Sequence, residues 1–197
     1  WVGTLVCMER TTHSLSACLA TSGNRSLTGS PLLPGLANLN GDCISPRVVQ
    51  AIADQAATLN THTRYLHDGV LDYIERLTAT FSHGISQAIL TCTGSEANDI
   101  ALRMAQAATG KTGIIATDAT YHGNSEAVGK MTRLGADQNS GGDVRAIPFP
   151  EKLRPLVPGA SEADLAEAYL ERLRSAIRSL EEDGVGFAAL IVCPIFA

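Results

Sequence analysis

The sequence lacks the features of several protein classes. Its 197 residues carry a formal net charge of −5 without any basic block, which argues against a nucleic-acid surface as the main function. No apolar run is long enough to cross a membrane, and the amino terminus does not show the basic-then-apolar order of a signal peptide. We therefore expect a protein that binds neither nucleic acid nor membranes.

The sequence also lacks paired cysteines. Its five cysteines are scattered, odd in number and without any CxxC spacing. Such a pattern favours free thiols in a reducing compartment over disulfides or a zinc site. We expect a cytoplasmic protein without a metal site.

The most informative segment covers residues 89–110, and it reads as a strand, a tight turn and a long helix. Its first four residues form a short apolar run typical of a strand, which Thr93, Gly94 and Ser95 then interrupt. Apolar residues afterwards recur at helical spacing, and Gly110 stands where a helix stop is expected.

The start of this helix has the chemistry of an anion site. The first turn of a helix carries amide groups without partners, and the helix dipole is positive there. A turn made of Gly94 and Ser95 lets an anion approach closely, and the Ser95 hydroxyl adds a donor. The same residues also suit an ordinary capped helix, which spacing alone favours. The motif by itself leaves both interpretations open.

Apolar strands alternate with amphipathic helices along the rest of the chain. Nearly continuous apolar strands that are separated by helices predict a mostly parallel sheet covered by helices on both faces, and hence an α/β fold. The predicted helices are one that begins at Pro46 with Ser45 as its cap, one over 70–81, and a long one capped by Ser161. The predicted strands cover 112–117, 143–148 and 187–193.

Two motifs together resemble a known family. The residues GSEAN at 94–98 are followed, after the helix and one more apolar run, by YHG at 121–123. This pair resembles the class III aminotransferases, which are pyridoxal-phosphate enzymes of fold type I. The resemblance extends upstream through 59–68 and downstream through 187–197. It implies that residues 69–197 form part of the fold type I large domain, and that residues 1–68 form an N-terminal segment or a partial small domain. It also implies a homodimer.

The resemblance implies cofactor roles for four residues. Gly94 and Ser95 would bind the phosphate of pyridoxal 5′-phosphate, and Tyr121 would stack on its ring, with His122 beside it. Two alternatives stay open. Tyr121 can instead be a half-buried core residue, and His122 a hydrogen-bonded structural residue beside a turn.

The polar segment before the second helix supplies candidates on the substrate side. In the family this stretch lies near the mouth of the active site, so the resemblance implies that Arg64 and Tyr65 face the substrate. A solvated loop explains the same residues equally well.

Two requirements of the family's chemistry are not met within these residues. The family's Schiff-base lysine and pyridine-nitrogen aspartate would both lie beyond Ala197, and none of Lys111, Lys130 and Lys152 matches the lysine position. Cys193 stands where the family strand ends in glutamate before a proline, and a thiol cannot accept hydrogen bonds from arginine in the same way. We therefore expect a fragment that contains no catalytic residue and is inactive alone.

The implied reaction is transfer of an amino group between an amino acid or amine and a 2-oxo acid. The segment 59–68 also resembles the phospho-lyase branch of the same class, which eliminates phosphate from amino-alcohol phosphates. A third hypothesis is a non-catalytic relic that binds the cofactor or pairs with a full-length subunit. A P-loop NTPase is disfavoured because Gly94-Ser95 lacks the Gly-Lys-Ser/Thr ending that a nucleotide phosphate site needs.

Overall fold

A computed structural model describes residues 4–10, 15–21, 46–62, 64–81, 85–132, 142–151 and 153–193. The chain divides into two compact units. The smaller is Ser22–Leu77, and the larger combines Trp1–Thr21 with Thr78–Ala197. This division differs from the parts 1–68 and 69–197 that the family resemblance implies, and the roles of those two parts stay a prediction.

The smaller unit contains two helices. Helix α1 (Pro46–Thr58) begins at the predicted proline, whose fixed φ angle and missing N–H suit the first helical position. Its predicted cap, Ser45, lies outside the described residues. Helix α2 (Asp68–Thr78) begins two residues before and ends three residues before the predicted range of 70–81, and an acidic residue occupies its first turn.

One sheet of the larger unit is antiparallel and was not predicted. Strands β1 (Thr4–Arg10) and β2 (Leu15–Thr21) form a hairpin. Strand β3 (Gln87–Thr91) pairs with β1, which gives the order β2-β1-β3. The sequence of the first 37 residues shows no periodicity, so the hairpin left no readable signal.

The other sheet is the predicted parallel one. It consists of β4 (Gly113–Thr117), β5 (Val144–Ile147) and β6 (Phe187–Ile191), in the order β5-β4-β6. Every residue of the central strand β4 is buried. The last strand ends at Ile191, two residues earlier than predicted.

Two helices cover one face of the parallel sheet. They are α3 (Gly94–Thr109) and the short α4 (Glu126–Gly129). Leu102 of α3 and Val128 of α4 pack with Ile114 of β4 in one apolar cluster. Helix α3 also packs against the antiparallel sheet, so it lies between the two sheets.

A long helix covers the opposite face. Helix α5 (Glu162–Glu182) buries Leu180 against Ile115, the neighbour of Ile114 that faces the other side of β4. The Ser161 hydroxyl caps this helix, because its Oγ accepts the Asp164 N–H at 3.2 Å and donates to the Asp164 carboxylate at 2.7 Å. The predicted α/β fold with helices on both faces is confirmed.

Among the described helices, none combines the length and the apolar character that a membrane span requires.

A buried arginine joins β5 to the end of α5. The side chain of Arg145 is 4% exposed, and its Nε donates to Ser179 Oγ at 3.0 Å. Its Nη1 donates to the carbonyl oxygens of Gly142 (2.9 Å) and Val144 (3.0 Å), and its Nη2 pairs with Asp183, which caps the carboxyl end of α5. A buried charge is tolerated only when it is paired in this way. The amino-acid sequence shows no pattern that indicates this role for Arg145.

Replacing this arginine is expected to destabilise the larger unit. Arg145→Met retains bulk but removes four hydrogen bonds, so we expect the free energy of unfolding to fall by about 1–3 kcal/mol. The matched control is Arg178→Met, whose partner Glu171 is exposed, with an expected loss below about 1 kcal/mol. Urea unfolding followed by circular dichroism measures the free energy of unfolding of both variants. Equal losses in the two variants would contradict the structural role of Arg145.

Candidate functional site

The predicted strand–turn–helix segment is confirmed. Strand β3 ends at Thr91, and α3 begins at Gly94 after a two-residue turn. The helix ends at Gly110, which adopts the left-handed conformation at φ +67° and donates its N–H to the carbonyl of Gln106. The turn therefore places Gly94 and Ser95 at the positive end of a 16-residue helix.

The start of α3 is closed by a capping arrangement. Thr93 Oγ1 accepts the Glu96 N–H at 3.1 Å, and the Glu96 carboxylate accepts the Cys92 N–H at 2.9 Å. The reciprocal bonds resemble a capping box, although the glutamate reaches one residue further back. Glu96 thus stabilises the helix start.

Two amide groups remain available at this helix start. The N–H groups of Glu96 and Ala97 are bound to Thr93, at its hydroxyl and its carbonyl oxygen respectively. Within the part of the chain that the structure describes, the N–H groups of Gly94 and Ser95 have no hydrogen-bond partner. Both residues are partly exposed. Two adjacent amide donors at the positive end of a helix suit an anion.

The Ser95 hydroxyl supplies a third donor. Its Oγ accepts the Asn124 N–H at 3.1 Å. A hydroxyl that accepts with a lone pair still has its own proton to donate. The same bond brings the loop that follows β4 to the start of α3.

Gly123 allows this close approach. It adopts φ +135°, and a Cβ at this position would lie 2.5 Å from Ser95 Oγ and 2.8 Å from Val128 Cγ2. Only glycine fits both the conformation and the space. The glycine of the YHG motif therefore lets the loop and the helix meet.

His122 anchors the loop from the inside. It is 7% exposed, and burial lowers the pKa of its imidazole below the ordinary 6.5. Its Nε2 lies 2.9 Å from Thr120 Oγ1 and its amide donates to Thr132 Oγ1 at 3.2 Å, while its carbonyl accepts from Asn98 Nδ2 at 2.6 Å. These bonds match the structural alternative, and cofactor contact by His122 stays a prediction.

Tyr121, unlike His122, is exposed to solvent. Its side chain is 59% exposed, so the alternative of a half-buried core tyrosine does not describe it. An exposed ring held by buried neighbours on its own loop suits a planar ligand. Its stacking on the cofactor stays a prediction.

Arg64 and Tyr65 belong to the smaller unit. The Arg64 N–H donates to His62 Nδ1 at 3.1 Å, and the Tyr65 ring stacks on the His62 ring with centroids 5.3 Å apart. Both side chains are exposed. Their contact with substrate stays a prediction.

Two of the three lysines, Lys111 and Lys130, lie within the described residues. Lys111 lies beyond the carboxyl end of α3, roughly 24 Å along the helix axis from its start. Its ammonium pairs with Glu181 at 2.7 Å, and this hydrogen bond lowers the pKa of the Glu181 carboxyl. Lys130 is exposed just after α4, and Lys152 lies outside the described residues.

Comparison with known proteins decides the family. A family profile described as "Aminotransferase class-III" matches residues 33–197. The chain belongs to the class-III aminotransferases. Members of this family are pyridoxal-phosphate-dependent transaminases, and the parallel sheet with its helices forms part of their fold type I architecture.

Curated relatives include both reaction branches. The chain is 31% identical over 163 residues to "Alanine–glyoxylate aminotransferase 2-like" of Drosophila melanogaster, which covers 77% of this chain and 32% of that protein. It is 35% identical over 92 residues to "Ethanolamine-phosphate phospho-lyase homolog 1" of Caenorhabditis elegans, which covers 42% of this chain and 20% of that protein. The chain thus spans a third or less of the length of these relatives.

Solved structures show the same two branches. A phospholyase from Arthrobacter in complex with phosphoethanolamine superposes with a TM-score of 0.66 at 31% identity, over 100% of this chain and 43% of that one. An omega transaminase from Pseudomonas jessenii in complex with PMP superposes with a TM-score of 0.64 at 25% identity, over 78% of this chain and 36% of that one.

Adding one methyl group at Gly123 is expected to disrupt the site. Gly123→Ala places a Cβ at φ +135° against Ser95 Oγ, so we expect a loss of about 1–3 kcal/mol in the free energy of unfolding. The matched control is Gly129→Ala, where a Cβ would meet nothing within 4 Å. Thermal unfolding compares the melting temperatures of the two variants. Equal melting temperatures would show that Gly123 does not lie tightly against Ser95.

Proposed function

We propose that this chain supplies the phosphate-side and ring-side parts of a pyridoxal 5′-phosphate site in a class-III aminotransferase. The observation that carries the proposal is the group of three donors at the start of α3. Two are the unpaired amides of Gly94 and Ser95, and the third is the Ser95 hydroxyl. The full protein would transfer an amino group between an amino acid or amine and a 2-oxo acid, as a cytoplasmic homodimer.

The described residues fit the cofactor at two of its groups. Gly94 and Ser95 would hold the phosphate against the positive end of α3, and Tyr121 would cover one face of the ring. When bound, pyridoxal phosphate supplies an electron sink for amino-group chemistry. We assign no residue of this chain to the aldehyde or to the pyridine nitrogen.

A binding experiment tests the phosphate site directly. Pyridoxamine 5′-phosphate is the better probe, because it has no aldehyde that would react with surface lysines. We expect it to bind more tightly than pyridoxamine, and Ser95→Ala to weaken its binding about tenfold by removing a hydrogen bond to a charged group.

The matched control is Ser175→Ala, which changes an exposed serine of α5. Isothermal titration of the chain and both variants gives the dissociation constants. Equal affinities for pyridoxamine 5′-phosphate and pyridoxamine would contradict the proposed phosphate site. Equal effects of Ser95→Ala and Ser175→Ala on binding would contradict it as well.

We further propose that the chain alone does not catalyse transamination. The chemistry requires a lysine amine at the cofactor aldehyde, whereas Lys111 is paired with Glu181 at the far end of α3. With pyridoxal phosphate, alanine and glyoxylate we expect no pyruvate above a protein-free control. Pyruvate formation by the chain would contradict the proposed inactivity. If turnover also survived combined substitution of Lys111, Lys130 and Lys152, the explanation that the chain is inactive because it lacks a suitable lysine would be wrong too.

The phospho-lyase branch is the second candidate. Its support is the Arthrobacter phospholyase, whose structure superposes over the whole chain. In this case the full protein would release inorganic phosphate from an amino-alcohol phosphate. Measuring phosphate release from phosphoethanolamine, beside amino transfer from alanine to glyoxylate, separates the two reactions in the full-length protein.

A further inference from the structure

The loop that follows β4 contains a chain of hydrogen bonds with only one consistent arrangement of protons. Thr120 Oγ1 lies 2.8 Å from the carbonyl oxygen of Thr117 and 2.9 Å from His122 Nε2. A carbonyl oxygen can only accept, so the single hydroxyl proton of Thr120 lies on the bond to Thr117. The bond to His122 then requires that Nε2 carries the proton.

The second ring nitrogen is therefore fixed as well. An imidazole that is protonated at Nε2 and neutral has a lone pair at Nδ1. Burial of the ring at 7% exposure opposes the doubly protonated, charged form. Within the described residues, Nδ1 has no hydrogen-bond partner that would favour a proton there.

The backbone of the same histidine is held by two other elements. Asn98 of α3 donates to its carbonyl oxygen at 2.6 Å, and Thr132 beyond α4 accepts its N–H at 3.2 Å. Thr132 also donates to the Gly123 carbonyl at 2.9 Å. Thr120 thus fixes the imidazole of His122, while Asn98 and Thr132 fix its backbone. In the sequence this histidine lies between Tyr121 and Asn124.

We propose that Thr120 is a positioning residue, which holds His122 as its neutral Nε2–H tautomer and so sets the positions of Tyr121 and Asn124 at the start of α3. The tautomer follows from the hydrogen bonds alone. The effect on ligand binding rests on the proposed function. The two parts can therefore fail separately.

Nitrogen NMR of the 15N-labelled chain tests the tautomer. Long-range 1H–15N correlations at pH 7.5 distinguish protonated from unprotonated ring nitrogens, and His122→Gln identifies the signals. We expect Nε2 to be protonated and Nδ1 unprotonated in the unsubstituted chain. A proton at Nδ1, alone or together with one at Nε2, would overturn the proposal without any variant of Thr120.

Two substitutions test whether Thr120 is the cause. Thr120→Ser keeps the hydroxyl and should keep the tautomer, whereas Thr120→Val removes it and should give a mixture of tautomers. Thr112→Val is the matched control, since this exposed threonine precedes β4 and the loop follows the other end of that strand. An unchanged tautomer in a folded Thr120→Val variant would overturn the proposal, and if that variant does not fold, the wild-type and serine spectra still decide.

Binding of pyridoxamine 5′-phosphate gives the second readout. We expect Thr120→Val to weaken binding about 2- to 12-fold, the value of one net hydrogen bond, with recovery in Thr120→Ser. Equal affinity of the valine and wild-type chains would remove the positioning role. If the unsubstituted chain does not bind the probe at all, the proposed function fails, while the NMR result on the tautomer stands.

Discussion

The described site depends on one close approach, between the loop after β4 and the first turn of α3. Gly123 passes so near to Ser95 that a methyl group would overlap the serine oxygen, and the Asn124 N–H binds that oxygen. This contact links the carboxyl end of a buried parallel strand to the positive end of a helix. In open α/β sheets, this is the edge where ligands bind. The loop that carries Tyr121 reaches the start of α3, where the free amides lie, through this approach.

The loop is held from the inside by groups that touch no ligand. Thr120, His122 and Asn98 are all buried and bound to one another or to backbone atoms. Buried polar groups of this kind are favourable only when they are satisfied, and then they favour a single geometry. The exposed tyrosine beside them therefore lies on a loop whose position is fixed by buried hydrogen bonds. The arrangement separates the residues that fix the site from those that would meet the cofactor.

Local signals made much of this structure predictable. The Thr93 cap, the helix start beside it and the helix stop at Gly110 were close to the observed ones because caps and turns are encoded within a few residues, although Gly94 and Ser95 belong to the first turn of the helix and not to the preceding turn. Strands β4 and β6 of the parallel sheet were equally legible, since strands covered by helices on both faces have nearly continuous apolar sequences. The hairpin β1–β2 was missed because the first 37 residues show no periodicity. Its pairing with β3, with Leu5 opposite Leu90, joins distant parts of the chain and has no local signal. Likewise, the bond from Asn98 to His122 spans 24 residues, and no spacing rule indicates it.

The position of α3 between two sheets has a thermodynamic consequence for any ligand at its start. A ligand that needs the docked helix binds the folded state only, so its binding free energy adds to the stability of both sheets at once. At a concentration of 100 times its dissociation constant, such a ligand raises the free energy of unfolding by about 2.7 kcal/mol. The antiparallel hairpin carries no described site residue, yet it shares this stabilisation through the helix that it packs against. A cofactor bound there would therefore also act as a structural component of the fold.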